Sequence, residues 1–482
     1  MSMNRTEDKP RPTGRGVVPP LSSTVASSVL VFSDFFAIVV AGYLSYDSIV
    51  VYSINSNYYV SAVLFIALST LSLMNFGGLY QFETALRPIS RVSYILLAFG
   101  VAYLFLLAAA FSLRMSEEFS RIWVMAFAAA AAAVLLLGLR FILAVVFSRL
   151  ILRDSFKRNL AVIGVGQQLD RLTAAIARNS TVPVRLAGIY AAGDGALPSH
   201  PDSGLQGGVD ELVRDVRNNL VDDVAIALPW SRDSEIEALV IKLRELPVNV
   251  YLVSDLVGFR LRLRNAPDHF GGLPVSELVG KPMSGWDAAI KAAEDYILAS
   301  LILIAVSPVL LLVAVLIKFG SPGPIMFRQN RVGFNNEVFS VLKFRTMYHG
   351  EPPAGRTVQA KLGDPRITPL GRILRRWSID ELPQILNVLT GTMSLVGPRP
   401  HAIDHNDEFA RRTKSYFARH RVKPGITGLA QVKGFRGETD TEEKLEGRVR
   451  NDIYYVDNWS PLLDFSILIQ TVIVCIVGKN AH

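Results

Sequence analysis

Residues 364–400 read DPRITPLGRILRRWSIDELPQILNVLTGTMSLVGPRP. The stretch opens on an extended or turn-like Asp364-Pro365-Arg366, because proline disfavours helical backbone in the residue before it. It passes a basic cluster, Arg372, Arg375 and Arg376, and then presents Ser378-Ile379-Asp380-Glu381 ahead of an apolar run. Serine followed three residues later by glutamate has the spacing of a capping box, which predicts a helix with Asp380 and Glu381 in its first turn. Pro383 would then lie one turn into that helix and tilt its start.

An acid pair at a helix start is often structural, since carboxylates there stabilise by about 0.3–1 kcal/mol. Here Arg366, Arg372, Arg375, Arg376 and Arg399 flank the pair, and the segment ends in Gly397-Pro398-Arg399-Pro400. Adjacent carboxylates in an anion-attracting setting suit phosphoryl transfer, one acid attacking phosphorus and the other holding a divalent cation.

With this stretch, the chain resembles the bacterial sugar transferases, which move a sugar 1-phosphate from a nucleotide sugar onto a polyprenyl phosphate. The shared features are Ser321-Pro322-Gly323-Pro324-Ile325, the segment QNRVG at 329–333, Lys343-Phe344-Arg345, Asp364-Pro365-Arg366, Asp380-Glu381-Leu382-Pro383-Gln384, Gly397-Pro398-Arg399-Pro400 and Lys423-Pro424-Gly425-Ile426-Thr427-Gly428. Their common order makes the match specific. A looser similarity to the large multi-membrane-segment branch, the undecaprenyl-phosphate glucose phosphotransferases, covers nearly the whole chain. The resemblance implies that Asp380 is the nucleophile on the β-phosphorus of a UDP-sugar, that Glu381 binds Mg²⁺, and that undecaprenyl phosphate is the acceptor.

The 482 residues suggest more than one domain. Half are hydrophobic, and a mean hydropathy of +0.32 predicts several membrane segments. The net charge of +8 falls outside the apolar runs, as expected for a protein facing anionic membrane lipids and phosphorylated substrates. No zinc-finger spacing or aromatic-basic interleaving points to nucleic acid. A lone cysteine, Cys475, excludes an internal disulfide and a cysteine zinc cluster.

The first 20 residues read as a disordered basic tail, with no signal peptide. Apolar runs at roughly 24–44, 58–79, 91–112 and 122–147 are each long enough to span about 30 Å of hydrocarbon. These define a four-helix transmembrane domain over 21–153. Arginine and lysine gather in the leading tail, at Arg87 and Arg91, and from Arg149 to Arg158, which places both ends of this unit in the cytoplasm. Asp34 and Arg140 lie within the apolar runs, where each demands a partner or an interfacial position. The alanine-rich 126–133 region permits close helix contact.

Residues 154–265 alternate short buried strands (160–164, 184–190, 222–228, 248–253) with helical segments (to 178, 209–218, 233–245). That alternation predicts a Rossmann-like α/β domain with a parallel sheet. Gly164 and Gly166 begin a G-x-G-x-x-G pattern, but Leu169 takes the third position and no acidic residue closes the next strand, so a scaffold or regulatory role is favoured over dinucleotide binding.

A linker is expected over 266–290. The apolar run 296–317, within a membrane segment 291–319, is long enough to span, yet Ser307-Pro308 interrupts it at the midpoint. Lys291 and Lys318 flank it, and a domain that uses UDP-sugar and Mg²⁺ must face the cytoplasm. The expectation is a re-entrant helix broken at Ser307-Pro308, a feature the resemblance also implies.

Residues 320–482 form the expected catalytic α/β domain, mostly helical. Ser321-Pro322-Gly323-Pro324 should turn the chain out of the membrane. Gly333–Met347 should form a hairpin arm with Lys343 and Arg345 on one face. Lys343, Arg345, Asp364, Arg366, Arg375, Arg399, Lys423, Arg436 and Asp452 are the candidate phosphate- or substrate-binding residues, with Arg399 strongest because flanking prolines hold its backbone. The loop 421–434 could cradle diphosphate through backbone N–H groups. Phe435 stands where the family places an arginine-like residue, which leaves the part of Arg436 open. The segment 461–477 is short for a span and reads as an interfacial helix, with room for self-association as a homo-oligomer.

The resulting expectation is a multidomain α/β enzyme of the bacterial inner membrane, catalytic domain on the cytoplasmic face, transferring hexose 1-phosphate to initiate exopolysaccharide or capsule assembly. The alternatives are a membrane phosphotransferase acting by direct transfer and a non-enzymatic, nucleotide-sensing scaffold for polysaccharide assembly.

Overall fold

A computed structural model describes residues 23–49, 56–80, 91–112, 120–129, 137–152, 158–164, 166–178, 184–192, 205–253, 268–270, 273–348, 364–413, 415–435 and 441–477. The chain divides into a unit spanning Val17–Lys157 and a second unit from Arg158 onward.

The first unit contains α1 (Ser23–Ile49), α2 (Ser56–Phe76), α3 (Val92–Ser112), α4 (Arg121–Ala129) and α5 (Leu137–Leu152). The first three are long and apolar enough to cross a membrane. The fourth expected run is described as two shorter helices, and 130–136, with part of the alanine-rich region, lies outside the described residues. Ile38, Ile66, Ile95, Trp123 and Phe127 form the middle of the bundle. The intramembrane charges find each other: Arg140 Nη2 lies 2.6 Å from Asp34 Oδ2, and the Tyr80 hydroxyl donates to the same oxygen at 3.0 Å. Asp34 is 0 % and Arg140 5 % exposed, so each removes the other's cost of being unpaired away from water.

The second unit begins with β1 (Arg158–Gly164), α6 (Gln167–Arg178), β2 (Val184–Tyr190), β3 (Leu205–Gly207), α7 (Val209–Arg217), β4 (Asp223–Ala227), α8 (Asp233–Leu243), β5 (Asn249–Val253), β6 (Asp268–Phe270) and β7 (Leu273–Val279). The sheet order is β3-β2-β1-β4-β5-β7-β6. The first five strands pair in parallel. Strand alternation sends Ala161, Ile163, Val224 and Ile226 toward Leu212 and Leu239 of α7 and α8, and Leu160, Val162, Ala225 and Ala227 toward Leu169 and Leu172 of α6. The stretch expected to be a linker, 266–290, instead holds β6 and β7, which extend the sheet, β7 antiparallel to β5 and β6 antiparallel to β7. Its sequence signal is weak because β7 buries few side chains: Val275 and Val279 are buried, whereas Ser276, Glu277 and Leu278 are exposed.

Helix α9 (Trp286–Gly320) follows. It runs as one helix through the expected break, with Pro308 inside it. Proline cannot donate to the carbonyl four residues back, that of Ile304; the Ser307 hydroxyl donates there instead, at 2.9 Å. The orphaned acceptor is therefore satisfied within the helix. Near its start, Lys291 Nζ lies 2.6 Å from Asp464 Oδ2, and Asp295 accepts from Ser394 Oγ and the Leu395 amide at 2.9 and 3.0 Å. Past its end, Arg345 Nη2 donates to the Ser321 carbonyl and hydroxyl, both at 2.8 Å.

The remainder comprises the hairpin β8 (Met326–Val332) and β9 (Val338–Phe344), α10 (Pro369–Arg376), a 3₁₀ turn at Ile379–Glu381, α11 (Gln384–Leu389), β10 (Ser394–Val396), α12 (Ile403–Arg412), β11 (Gly425–Thr427), α13 (Leu429–Val432), α14 (Glu442–Asp457) and α15 (Pro461–Val477). Ala299 on α9 packs with Val341, Ile385 and Val388, while Val313 and Ile317 pack with Phe344 and Leu374. On α15, Leu462, Phe465, Ile469, Val472 and Ile473 are exposed, the apolar stripe expected of an interfacial helix. Asp464 between them is buried and accepts from Tyr455 and Trp459 at 2.8 and 3.0 Å.

Candidate active site

Thr368 starts the active-site segment by capping α10: its hydroxyl accepts from the Gly371 amide at 2.9 Å, with Pro369 in the first turn. A Cβ on Gly371 would stand 2.1 Å from the Thr346 carbonyl oxygen, so the helix can lie this close to the end of β9 only with glycine there. The capping box expected at Ser378 does not form. Ser378 has left-handed backbone, φ 55°, and its side chain makes no cap bond, because the chain must reverse between α10 and the next turn. That turn is 3₁₀, closed by Glu381 N to Ser378 O at 3.2 Å. Pro383 precedes α11 and does not kink it, since an amide at that position has no helical acceptor.

At three residues per turn, neighbouring side chains diverge by about 120°. Glu381 faces Lys343 and Arg399: Lys343 Nζ donates to Oε1 at 2.8 Å, Arg399 Nη2 to Oε1 at 2.7 Å and Nη1 to Oε2 at 3.3 Å. Asp380, 9 % exposed, makes no side-chain hydrogen bond among the described residues. Burial, with the charge of Glu381, pushes its carboxyl up to about 6, against the pull of Lys343, Arg375 and Arg399. Burial opposes ionisation of Glu381 too, but Arg399 and then Lys343 outweigh it and hold that carboxyl well below the usual range. One acid is fixed and charged; its neighbour is unbonded and titrates near neutrality.

Arg399 is placed by backbone contact. β10 and β11 pair in parallel, Ser394 opposite Gly425 and Val396 opposite Thr427. A Cβ on Gly425 would lie 2.1 Å from the Gly397 amide nitrogen, and one on Gly428 2.2 Å from the Gly397 carbonyl oxygen. The loop 421–434 thus clamps the Arg399 loop through its glycines, whereas the sequence suggested a phosphate cradle. Behind Arg399, Arg419 donates to its carbonyl at 2.7 Å.

These motifs and this geometry lead to the comparisons with known proteins. Residues 286–478 match the family model for bacterial sugar transferase. The UDP-glucose:undecaprenyl-phosphate glucose-1-phosphate transferase of Escherichia coli (strain K12) is 40 % identical over 326 residues, covering 68 % of this chain and 69 % of the relative. The chain belongs to the bacterial sugar transferase family. A transferase of the same description from Xanthomonas campestris pv. campestris is 35 % identical over 401 residues, 80 % of each chain. One from Caulobacter vibrioides is 48 % identical over 192 residues, 40 % of this chain and 72 % of the relative. A second model, described as a CoA-binding domain, matches residues 75–254. This bacterial sugar transferase is an enzyme of the phosphoglycosyl transferase type and a multi-pass protein of the inner membrane.

Within this sugar transferase, the expected site residues separate into groups. Lys343 and Arg399 join Asp380 and Glu381. Arg375 stands beside them, its Nε donating to Thr346 Oγ1 at 2.9 Å and its charge acting on Asp380. Arg345 does not share a ligand face with Lys343; it holds the Ser321-Pro322 turn below α9. Asp364 and Arg366 bind each other, Arg366 Nη2 lying 2.6 Å from Asp364 Oδ2, and the guanidinium holds Asp364 at about 2. Lys423 lies in the field of Asp295 and Lys291 at the α9 start. Asp452 is buried against Arg419, 2.7 Å away. Arg436 lies outside the described residues.

Two groups at the site had no role assigned from sequence. Arg331, the arginine of QNRVG, donates to Gln329 Oε1 at 2.8 Å and the Pro400 carbonyl at 3.0 Å. It has no carboxylate partner among the described residues, and burial with neighbouring Arg399 lowers it to about 10. His401, wedged by Arg419 and Tyr416 at 2.7 and 2.6 Å, is kept neutral by burial and the arginines around it. Strand alternation could have put Arg331 with Gln329 on one face; nothing local marks His401.

Proposed function

We propose that this enzyme transfers a hexose 1-phosphate, with glucose the first candidate, from a UDP-sugar to undecaprenyl phosphate through a phosphosugar covalently held on Asp380. The carrying observation is the asymmetry of the acid pair: Glu381 held by two cations, Asp380 unbonded beside it. In the first half, a carboxylate oxygen of Asp380 attacks the β-phosphorus, the bond to the UMP oxygen breaks, and UMP departs. In the second, a phosphate oxygen of undecaprenyl phosphate attacks the same phosphorus and the aspartyl bond breaks, freeing Asp380. Lys343, Arg399 and Arg331 supply the positive charge that receives a diphosphate. The similar proteins of Escherichia coli and Xanthomonas campestris described as UDP-glucose:undecaprenyl-phosphate glucose-1-phosphate transferases support glucose.

Among the described residues no three metal-ligating side chains cluster. Asp380 and Glu381 alone suit Mg²⁺ that arrives with the substrate, which takes one or two carboxylates and completes its shell from phosphates and water. Glu381 would hold it, and it would offset charge on the diphosphate.

Helix α9 would bend at Pro308, which lies inside it, and so enter and leave through the cytoplasmic leaflet, beside a Rossmann-like domain and the catalytic domain. In support, both ends of α9 are bonded to the same catalytic domain, Lys291 and Asp295 at one end, Ser321 at the other. A straight span would put these ends on opposite sides of about 30 Å of hydrocarbon.

Incubation with labelled UDP-glucose and Mg²⁺ without acceptor tests the reading. Label should remain on the protein and be lost in Asp380→Asn. Unlabelled protein with normal turnover would instead establish direct transfer.

A further inference from the structure

The β8–β9 hairpin ends in a turn whose central residues, Asn335 and Asn336, are both left-handed, φ 52° and 62°, a conformation asparagine tolerates and two-residue hairpins favour. A hairpin tip is ordinarily solvated, yet Asn335 is 4 % exposed. Its side-chain amide reaches into the α/β domain, donating to the carbonyls of Val216 and Arg217 at 2.9 and 3.2 Å and to Asn219 Oδ1 at 2.9 Å. Those carbonyls close α7, where few amides remain to satisfy them; that of Val216 also accepts from the Asn219 amide at 3.0 Å. Two backbone carbonyls also fix which end of the amide faces them. Beside this contact, Asn219 donates to Glu337, and the Arg217 guanidinium lies 5.2 Å from the centre of the Phe417 ring.

The same hairpin leads straight to the acid pair. Three and four residues before the tip, the Val332 amide donates to the His401 carbonyl at 3.2 Å and Arg331 to the Pro400 carbonyl at 3.0 Å. Arg399, next in the chain, grips Glu381. The returning strand brings Lys343 to the same carboxylate. On the tip's other side Asn336 Oδ1 meets His420 at 2.5 Å, the neighbour of Arg419, which holds the Arg399 carbonyl.

We propose that Asn335 is a positioning residue: by capping α7 it lets the α/β domain fix the hairpin that aims Arg331 and Lys343, and with them Arg399, at Glu381. The α/β domain is then part of the catalytic apparatus without needing a ligand of its own. This rests on the transferase reading, and the experiment separates the two. Full-length protein in lipid nanodiscs is assayed for UMP release from UDP-glucose with Mg²⁺, together with thermal unfolding. Asn335→Asp keeps the turn but turns a carboxylate on the two carbonyls; Asn335→Gly keeps the turn and deletes the contact.

Both variants should slow UMP release, Asn335→Asp by about tenfold or more, since small displacements of positioned groups are amplified in rate, with the unfolding midpoint unchanged. In an Arg331→Gln background, Asn335→Asp should add less than about twofold, because groups acting through one element are non-additive. Rates for both variants at the wild-type level would overturn the proposal. So would slowing accompanied by a lowered midpoint in both, or an undiminished effect in the Arg331→Gln background. Absence of UMP release by the wild-type protein with undecaprenyl phosphate present would overturn the glucose-transfer reading itself.

Discussion

Lys343 Nζ stands 2.8 Å from Glu381 Oε1, so the cation of a strand is neutralised by the second acid of the Asp380-Glu381 pair and not by the first. Removing it should take one of the two cations from Glu381 and leave Arg399 in place. Lys343→Met is expected to raise KM for the UDP-sugar and lower kcat, whereas Lys343→Arg should retain part of both. Steady-state kinetics against UDP-glucose, at saturating acceptor, measures the split.

Arg399 grips the same carboxylate with two nitrogens. A lysine there cannot reproduce the fork. Arg399→Ala should reduce kcat/KM by about 10²-fold, the usual effect of deleting one charged donor at a phosphoryl or oxyanion site, with Arg399→Lys in between. Equal activities for wild type and Arg399→Lys would refute a bidentate role.

The Asp380 carboxyl, raised by burial to about 6, must be ionised to attack. The rate of labelling by UDP-sugar should therefore climb with pH, pass its midpoint near 6 and level off above about 7. Asp380→Asn should abolish labelling and reduce transfer by at least about 10³-fold.

The same carboxyl sets a stability prediction of definite sign. Between its ordinary 3.8 and about 6, the folded protein binds more protons than the unfolded chain, so stability falls as pH rises through that window. The rise corresponds to on the order of 3 kcal/mol. Asp380→Asn should unfold at a higher temperature than wild type at pH 7.5, and the advantage should vanish below about pH 4. A lower midpoint for the variant at pH 7.5 would show that the acid stabilises the fold.

In the membrane unit, the Asp34–Arg140 pair predicts coupling. Asp34→Asn or Arg140→Leu alone leaves a partner unpaired, and should destabilise by about 3–5 kcal/mol. The double substitution should recover much of that. Thermal unfolding of detergent-purified protein reports it, and independent, additive losses would rule the pairing out as an energetic unit.

Much of this architecture was legible where period and charge speak locally. The parallel strands over 160–253 announced themselves as short apolar runs between glycines and amphipathic helices, and the motif order marked Asp380, Glu381, Lys343 and Arg399. What escaped notice depends on distant partners. Arg345 and Lys343 alternate as strand residues should, but only tertiary packing decides that one meets Glu381 and the other Ser321. The Ser378 spacing satisfied a capping pattern, but the reversal after α10 imposed a left-handed backbone. Asp364 and Arg366, two residues apart, satisfied each other. Pro308 suggested an interruption, but the helix assignment continues through it, the Ser307 hydroxyl meeting the Ile304 carbonyl.

The tethering of α9 at both ends carries a consequence for the lipid environment. On the proposed re-entrant topology, a helix anchored to a single domain through Lys291, Asp295 and Ser321 would take its depth from one interface, so hydrophobic mismatch with the opposite leaflet would have no lever on the reacting groups. Lengthening or shortening the acyl chains of the surrounding bilayer should alter the packing of α1–α3 while leaving the height of Asp380 above the headgroups as it was.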